Sequence, residues 1–402
     1  MQREYIKRTL YLDRIAPFID KPLVKVLVGQ RRVGKSYMLL QLMDTIRGDD
    51  SNIIYLDKEL HVHSSITNDK ELYHFVESHL KPEKRNYLFI DEVQEIESFE
   101  RCLRSLLNEG RCDIFCTGSN ANLLSGELAT LLSGRCIEFR VHSLSYTEFL
   151  EFNQLEDADE SLSHYLTLGG IPFLYHFGLH RQPSFEYLRN VYSTILLKDV
   201  VARENIRNVS FLENLVIYLV DNTGNLFSAS NISKYLKSQN LKIPTQTVLN
   251  YLRALTNAFF VYRTPRIDVN GLRIFKIGEK YYFEDLGLRN AIRVFNPANE
   301  VNKLMENAVF MHLLRNGYEV YVGDNKGKEI DFVAVRNNER MFIQVAYRLY
   351  DQRTVDREFG NLMEIANHYP KLVVTLDPIP MVSSYQGIKQ VHLRAFLSDD
   401  TI

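Results

Sequence analysis

Along the first third of the chain, short apolar runs rich in β-branched residues alternate with stretches that repeat apolar side chains at helical spacing. Val24–Val28 is such a run, and Tyr37–Met43 behind it reads as the start of a helix. Further strand-like runs lie at Asn52–Leu56, Tyr87–Ile90, Asp113–Cys116 and Cys136–Val141. Strand alternating with helix predicts an α/β core. The pattern changes at 151–163, where FNQLEDADESLS is acidic and polar and reads as a linker. Helical spacing then resumes, interrupted by Gly169, Gly170 and Pro172. From Phe211 three short helices are predicted, with Ser230 and Thr245 suited to N-cap positions. Two strand-like runs follow around the turn Asp268–Gly271. The last hundred residues read as a helix over 302–317 and strands at 318–323, 329–335 and 340–347. Four regions result, 1–150, 151–206, 207–296 and 297–402.

Composition narrows this picture. A chain of 402 residues has room for two or three cores, which excludes a peptide hormone or a lone binding module. With 45% hydrophobic and 24% charged residues it matches ordinary globular usage. Lys and Arg number 48 against 50 Asp and Glu, so the net charge of −2 cannot hold a polyanion, and any nucleic-acid contact requires a local patch. The amino end, MQREYIKRTLYLDRIAPF, is scattered with charge, and no run reaches the roughly 18 to 20 apolar residues of a membrane span. A soluble, cytoplasmic protein without membrane contact is expected. The cysteines, at 102, 112, 116 and 136, sit too close together to staple the whole chain, and they read as buried thiols rather than as a zinc site.

Between the first strand and helix lies GQRRVGKS, Gly29–Ser36. Strand, glycine turn and helix form the context in which backbone N–H groups curl around phosphates at a helix N-terminus, a phosphate-binding P-loop. The phosphate-binding set is Gly29, Gln30, Arg31, Arg32, Val33, Gly34, Lys35, Ser36 and Tyr37. Lys35 would reach the β- and γ-phosphates and Ser36 would hold magnesium. Of Arg31 and Arg32, one is expected at phosphate and the other in solvent. Hydrolysis also needs carboxylates at a neighbouring strand end, and YLFIDE supplies Asp91 and Glu92 about 55 residues after the loop. Asp91 would hold the metal and Glu92 would polarise the attacking water. The next strand ends in the polar tip Thr117, Gly118, Ser119 and Asn120, and a helix predicted to run to Leu132 leads to Arg135.

This order of strand tips, followed by a helix ending in Arg, resembles the AAA+ ATPase core. The resemblance implies ATP and Mg²⁺ as cofactors. It also implies Asn120 or Ser119 as the residue sensing the γ-phosphate, and Arg135 as an arginine finger reaching a neighbouring subunit in a nucleotide-bound homo-oligomer. The alternative for Arg135 is a cation at a helix C-terminus. Residues 151–206 resemble the helical lid that follows such cores, with Arg203 or Lys198 as a second sensor.

Helices followed by a hairpin over 207–296 resemble a winged helix. Residues 228–282 hold nine Lys/Arg against two acids, an excess of seven, which leaves −9 for the rest of the chain. Such segregation suits double-stranded DNA, although the candidate recognition helix offers only Gln246, Asn250 and Arg253, and winged helices also dock proteins. The final region resembles a restriction-endonuclease-like α/β core in which a helix Glu, a strand Asp and a Glu-x-Lys pair bind metal. Glu306 and Asp331 match; Gln344 and Ala346 stand where Glu and Lys belong. Two-metal cleavage relies on carboxylates and a supporting Lys, so this scaffold reads as degenerate.

As a set, GQRRVGKS, FIDEVQ, TGSNA, LGGIP, KDVV, YYFEDLGLR, ENAVF and EIDFVAV resemble a bacterial and archaeal family of AAA+ ATPases with a C-terminal domain of unknown function. The resemblance implies a magnesium-dependent ATPase whose nucleotide state moves the winged-helix and C-terminal parts. A slow nucleotide-dependent switch or DNA-binding regulator is the competing expectation, with a metal-dependent nuclease behind both.

Overall fold

The computed structural model describes residues 5–121, 134–238, 243–293, 297–349, 351–378 and 382–399. The chain forms two compact units, 1–143 with 257–259, and 144–256 with 260–402.

A five-stranded parallel sheet organises the first unit: β1 (Val24–Val28), β2 (Ser51–Asp57), β3 (Arg85–Asp91), β4 (Asp113–Gly118) and β5 (Cys136–Arg140), in spatial order β2-β3-β4-β1-β5. Val24 lies opposite both Ile114 and Cys136, and Tyr87 opposite Ile53 and Asp113. Parallel strands need crossovers that lay helices on the faces, so the strands must be apolar on both sides. All five residues of β1 are buried. Lys25 is tolerated there because its ammonium bonds Asp113 and, at 3.1 and 2.9 Å, the carbonyls of Lys21 and Leu23. The helix Lys35–Ile46 sets Met38, Leu39 and Leu42 into one core with Leu27, Phe89 and Phe115, whose rings (Phe89 and Phe115) stack at 4.7 Å. From β1 the chain passes β4 and β3 to reach β2 and then returns, so strand order reverses at β1. Ligand crevices in open α/β sheets form at the carboxyl edge beside such a reversal.

Helices open the second unit. The first, Tyr146–Asn153, starts with a capping box in which Ser145 and Glu148 bond each other's backbone N–H. It ends at Gln154, φ 53, and Asp159–Leu168 follows after a short turn. The break between units therefore falls after Ser143, and the acidic 151–163 run, expected as a linker, is largely helical. Acidity there reflects helix N-terminal chemistry, since Asp159 and Glu160 occupy a first turn. Arg181–Thr194 continues as a π-helix over Ile195–Ala202.

Three helices, Val209–Asp221, Ala229–Ser238 and Thr245–Asn257, precede the hairpin of β6 (Val261–Asp268) and β7 (Ile274–Phe283). Ser228, not Ser230, accepts from the Asn231 N–H at 3.3 Å, and Thr245 is the first residue of its helix. Phe227 bridges to Glu279 of β7. The hairpin does not end there: Arg266 to Asp268 pair in parallel with Val322 to Asp324. It thereby joins β8 (Glu319–Asn325), β9 (Lys328–Arg336), β10 (Glu339–Val345), β11 (Lys371–Thr375), β12 (Val382–Tyr385) and β13 (Ile388–His392) in one mixed sheet, ordered β12-β13-β11-β10-β9-β8-β6-β7. Ile267 and Val269 share a core with Ile330, Val333, Phe342 and Val373.

Two of the sequence motifs meet in this unit. The Asp285 carboxylate accepts from the Gly170 N–H at 2.6 Å and from the Leu288 N–H at 2.9 Å. Gly169 has φ +72, and a Cβ there would lie 2.4 Å from the Gly287 nitrogen, so LGGIP and FEDLGLR fit only with glycine at the crossing. Burial pushes the Asp285 carboxyl up to about 6, against the pull of those two N–H groups. Among the described residues no helix is long and apolar enough to cross a membrane. The four cysteines are free, and burial pushes the Cys102 and Cys112 thiols up to about 12.

Candidate functional site

At the carboxyl end of β1 the chain turns through 29–34 into the helix Lys35–Ile46. A Cβ on Gly29 would stand 2.1 Å from the Val141 carbonyl oxygen, and Gly34 adopts φ 98, so both positions demand glycine. The first N–H groups of that helix lack intrahelical partners and carry its positive end. Lys35 lies over the loop, its Nζ donating to the carbonyls of Gly29 and Gln30, both at 3.0 Å. The Gln30 side chain is wholly buried, yet neither amide atom has a hydrogen-bond partner among the described residues. Burying an amide unpaired costs about 1–3 kcal/mol, a cost a site can recover from a polar ligand. Val33 is buried, while Arg32, with φ 71, and Tyr37 are exposed. Arg31 is buried and pairs with Glu59 at 3.4 Å.

The acidic pair comes to the same edge. Asp91 ends β3, and the Ser36 hydroxyl at the start of the helix lies near enough to pull on its carboxyl. Because β4 lies between β3 and β1, its tip can join them. Thr117 donates its hydroxyl to Asp91 Oδ1 at 2.5 Å and accepts the Glu92 N–H at 2.9 Å. Glu92 turns off the strand with φ 55. Its carboxylate accepts from the Ser119 hydroxyl at 3.2 Å and from the Gln94 amide. Burial pushes the Asp91 carboxyl above its usual range, more than the Ser36 and Thr117 hydroxyls pull it down. Burial acts on Glu92 the same way, but the Lys35 ammonium, the Gln94 amide, Arg31 and Ser119 outweigh it and hold that carboxyl low.

Lys35, Ser36, Asp91 and Glu92 are thus gathered as the spacing anticipates. Of the two sensor candidates, Ser119 is the one whose hydroxyl reaches Glu92; Asn120 follows it, half-buried. Arg135 sits at the other edge of the sheet, its carbonyl accepting the Val24 N–H at 3.0 Å and its guanidinium bonding Asn108 at 2.8 Å. A five-residue strand separates that edge from the loop, about 16 Å at the usual rise. The structure therefore does not bring Arg135 to its own chain's loop. The helix predicted up to Leu132 lies outside the described residues. In the second unit, Arg203 stands 3.7 Å from buried Asp199, and Lys198 is exposed.

Sequence reasoning missed two supports of this site. Arg8, nearly fully buried, donates to the carbonyls of Val33 at 3.0 Å and His142 at 2.9 Å, pinning the loop to the segment after β5. In the sequence Thr117 is only part of a polar strand tip; its bridging role depends on β4 lying between β1 and β3. A lone Arg carries no motif. The FIDEVQ string does contain the signal for Gln94, two residues beyond the acid it bonds.

A second constellation occupies the other unit. Lys280, 1% exposed on β7, places Nζ 2.7 Å from Glu306, 2.8 Å from Glu329 and 3.3 Å from Asp331. Tyr282 donates to Glu306 at 2.5 Å. The Val345 N–H donates to Asp331 Oδ2 at 2.9 Å, and Gln344 Oε1 accepts the Asp331 N–H at 3.4 Å. Burial opposes the Lys280 charge, but Glu306, Asp331 and Glu329 outweigh it and raise its pKa. Burial, with Asp331 nearby, likewise pushes the Glu306 carboxyl up.

Lys280 is one of nine cations that sequence counting assigned to a basic surface. Two others are also engaged, Arg263 with Glu279 at 2.5 Å and Arg266 with Asp324 at 2.7 Å. Lys234, Lys237, Arg253 and Arg273 are exposed, whereas Lys242 and the Lys276 side chain lie outside the described residues.

Residues 21–150 match a family described as "AAA domain", and residues 159–299 match "Domain of unknown function (DUF8612)". An uncharacterized protein of Haemophilus influenzae is 34% identical over 384 residues, covering 93% of this chain and 94% of that one. One from Methanocaldococcus jannaschii is 30% identical over 348 residues, covering 81% of this chain and 75% of the relative. Among solved structures, Cdc6p from Pyrobaculum aerophilum is similar over 72% of this chain and 95% of its own, at 12% identity and a TM-score of 0.32, a likeness too low to bear on function.

Proposed function

We infer, from the premise that this chain belongs to a family of AAA-domain proteins shared by bacteria and archaea, that it binds and hydrolyses ATP with Mg²⁺. One observation carries the reading: Thr117, at the tip of the strand beside β1, bonds both the Asp91 carboxylate and the Glu92 N–H, and Ser36 and Lys35 of the glycine loop lie near enough to act on those two acids. The donor set suits the cofactor. Loop N–H groups and Lys35 would hold phosphates, with Arg31 as a second cation, and Ser36 and Asp91 would hold the metal. Bound Mg-ATP supplies the phosphoanhydride and the charge that makes its phosphorus open to attack. Glu92 would orient a water and take its proton, Thr117 keeps both acids in place, and Ser119 or Asn120 marks the γ-phosphate position. Phosphate release from Mg-ATP by the wild type, lost with EDTA or in Lys35→Ala, is the expected result; turnover unchanged in Lys35→Ala would refute the assignment.

A second reading, a slowly hydrolysing switch, is favoured by the Glu92 carboxylate itself. Gln94 and Ser119 already occupy it, and its lowered pKa makes it a weaker base. Faster turnover in Gln94→Ala would mean that the clamp sets the rate.

We read the helices and hairpin over 207–296 as a winged helix whose hairpin is continued by the sheet of a restriction-endonuclease-like region over 297–402, and 151–206 as a lid. On this reading nucleotide state moves the later regions, and duplex DNA is the partner of 228–282. The four exposed cations Lys234, Lys237, Arg253 and Arg273 support modest, phosphate-directed binding. Each phosphate neutralised adds a slope of about −0.9 to log K against log salt, so a total near −4 is expected. Arg135 then serves a neighbouring subunit, and turnover per chain that stays flat on dilution would remove that role.

A further inference from the structure

The resemblance of the last strands to an endonuclease-like core implies a divalent metal between Glu306 and Asp331, and the residues present do not fit one. Gln344 is neutral where a carboxylate belongs, and buried Ala346 offers no ligand. Both matching acids instead face an ammonium. Lys280 arrives from β7, outside the region that carries the resemblance, and stands within 2.7 to 3.3 Å of three carboxylate oxygens. On the far side of Glu306 the turn at Gly224, φ +78, packs so closely that a Cβ would lie 2.7 Å from Glu306 Oε2. A divalent ion using the same oxygens would sit almost in contact with the ammonium, where like charges repel strongly in a poorly solvated interior.

We propose that Lys280 is a built-in cation occupying the metal position of this sheet, so that the second unit binds no divalent metal there and does not cut nucleic acid. The lysine does what a metal would do structurally: it gathers the helix Pro297–Arg315, β9 and the hairpin around one positive charge. The proposal is independent of the nucleotide reading, because every residue it uses belongs to the second unit.

Titration of the full chain with Mn²⁺, without nucleotide and followed by electron paramagnetic resonance, tests it. The wild type and Asp331→Asn should bind Mn²⁺ indistinguishably, and neither should nick duplex DNA. Lys280→Ala should take up one additional Mn²⁺ per chain, lost again in Lys280→Ala/Asp331→Asn. Uptake by the wild type that Asp331→Asn abolishes would overturn the proposal, as would Asp331-dependent nicking, or a folded Lys280→Ala that gains no Mn²⁺. Should Lys280→Ala not fold, the wild type against Asp331→Asn still decides, and Lys280→Arg, which keeps the charge, must behave as wild type.

Discussion

Lys35, which opens a helix near Glu92, and Lys280, which lies on β7 among three acids, are held in opposite ways. Lys35 is tethered by the backbone carbonyls of Gly29 and Gln30, with Glu92 near enough to feel its charge. Lys280 is closed in by Glu306, Glu329 and Asp331. Carbonyl partners hold an ammonium in position yet give way to a phosphate, whereas three carboxylates make it an integral part of the core. On the two readings proposed above, a lysine beside acids serves as a ligand site in one unit and as a structural cation in the other, and what separates them is who holds the lysine. Asp285 is an intermediate case, an acid held by the N–H groups of Gly170 and Leu288 yet pushed up to about 6 by its burial.

The sharpest way to break this contrast is at Lys35. Lys35→Ala should abolish nucleotide binding in calorimetry and with it all turnover, leaving the circular dichroism unchanged. Glu92→Gln should retain bound ATP but slow phosphate release by about 10² to 10⁴; a variant that turns over normally would move the base elsewhere. Lys280→Met should cost about 3 to 5 kcal/mol in urea unfolding because it strands buried acids, while Lys35→Met should cost less than about 1.5 kcal/mol. Equal costs would erase the distinction between the two lysines.

Thr117→Val keeps the shape of β4 but unties both Asp91 and Glu92, and should lower kcat/KM about tenfold, the worth of about 1.4 kcal/mol. The gentlest test is a slope. Asp285 has a folded pKa of about 6 against 3.8 in an open chain, so folding takes up a proton between those values. Its stabilising contribution is full below about pH 4 and is lost as pH rises through 6. The stability of the wild type minus that of Asp285→Asn should fall from pH 4 to pH 7; a difference flat with pH would mean that the carboxyl is unshifted.

Much of the first unit was legible because its signals are local. GQRRVGKS lies within eight consecutive residues, and the turn it encodes requires glycine for contacts that any neighbouring strand end would impose. FIDE ends an apolar run at a strand tip whichever strand lies beside it. Legibility failed where meaning depends on a distant partner. Arg8 grips His142, 134 residues away, and Lys280 meets Asp331, 51 residues on. Counting charge along 228–282 treated Lys280, Arg263 and Arg266 as surface cations because a sequence does not display their acids. The acidic 151–163 run reads as a linker for a related reason, whereas the Ser145 capping box and the turn at Gln154 divide that stretch into two helices.

What the amino-acid order determined alone was the alternation of strand and helix, the phosphate-binding turn and the acids meant to face it, since each follows from backbone sterics and side-chain period within a few residues. The tertiary structure decided which strand stands between loop and acids, which polar tip joins them and which lysine is neutralised. Those choices depend on strand order and on charges brought together across the chain, and a buried charge takes its role from whatever surrounds it.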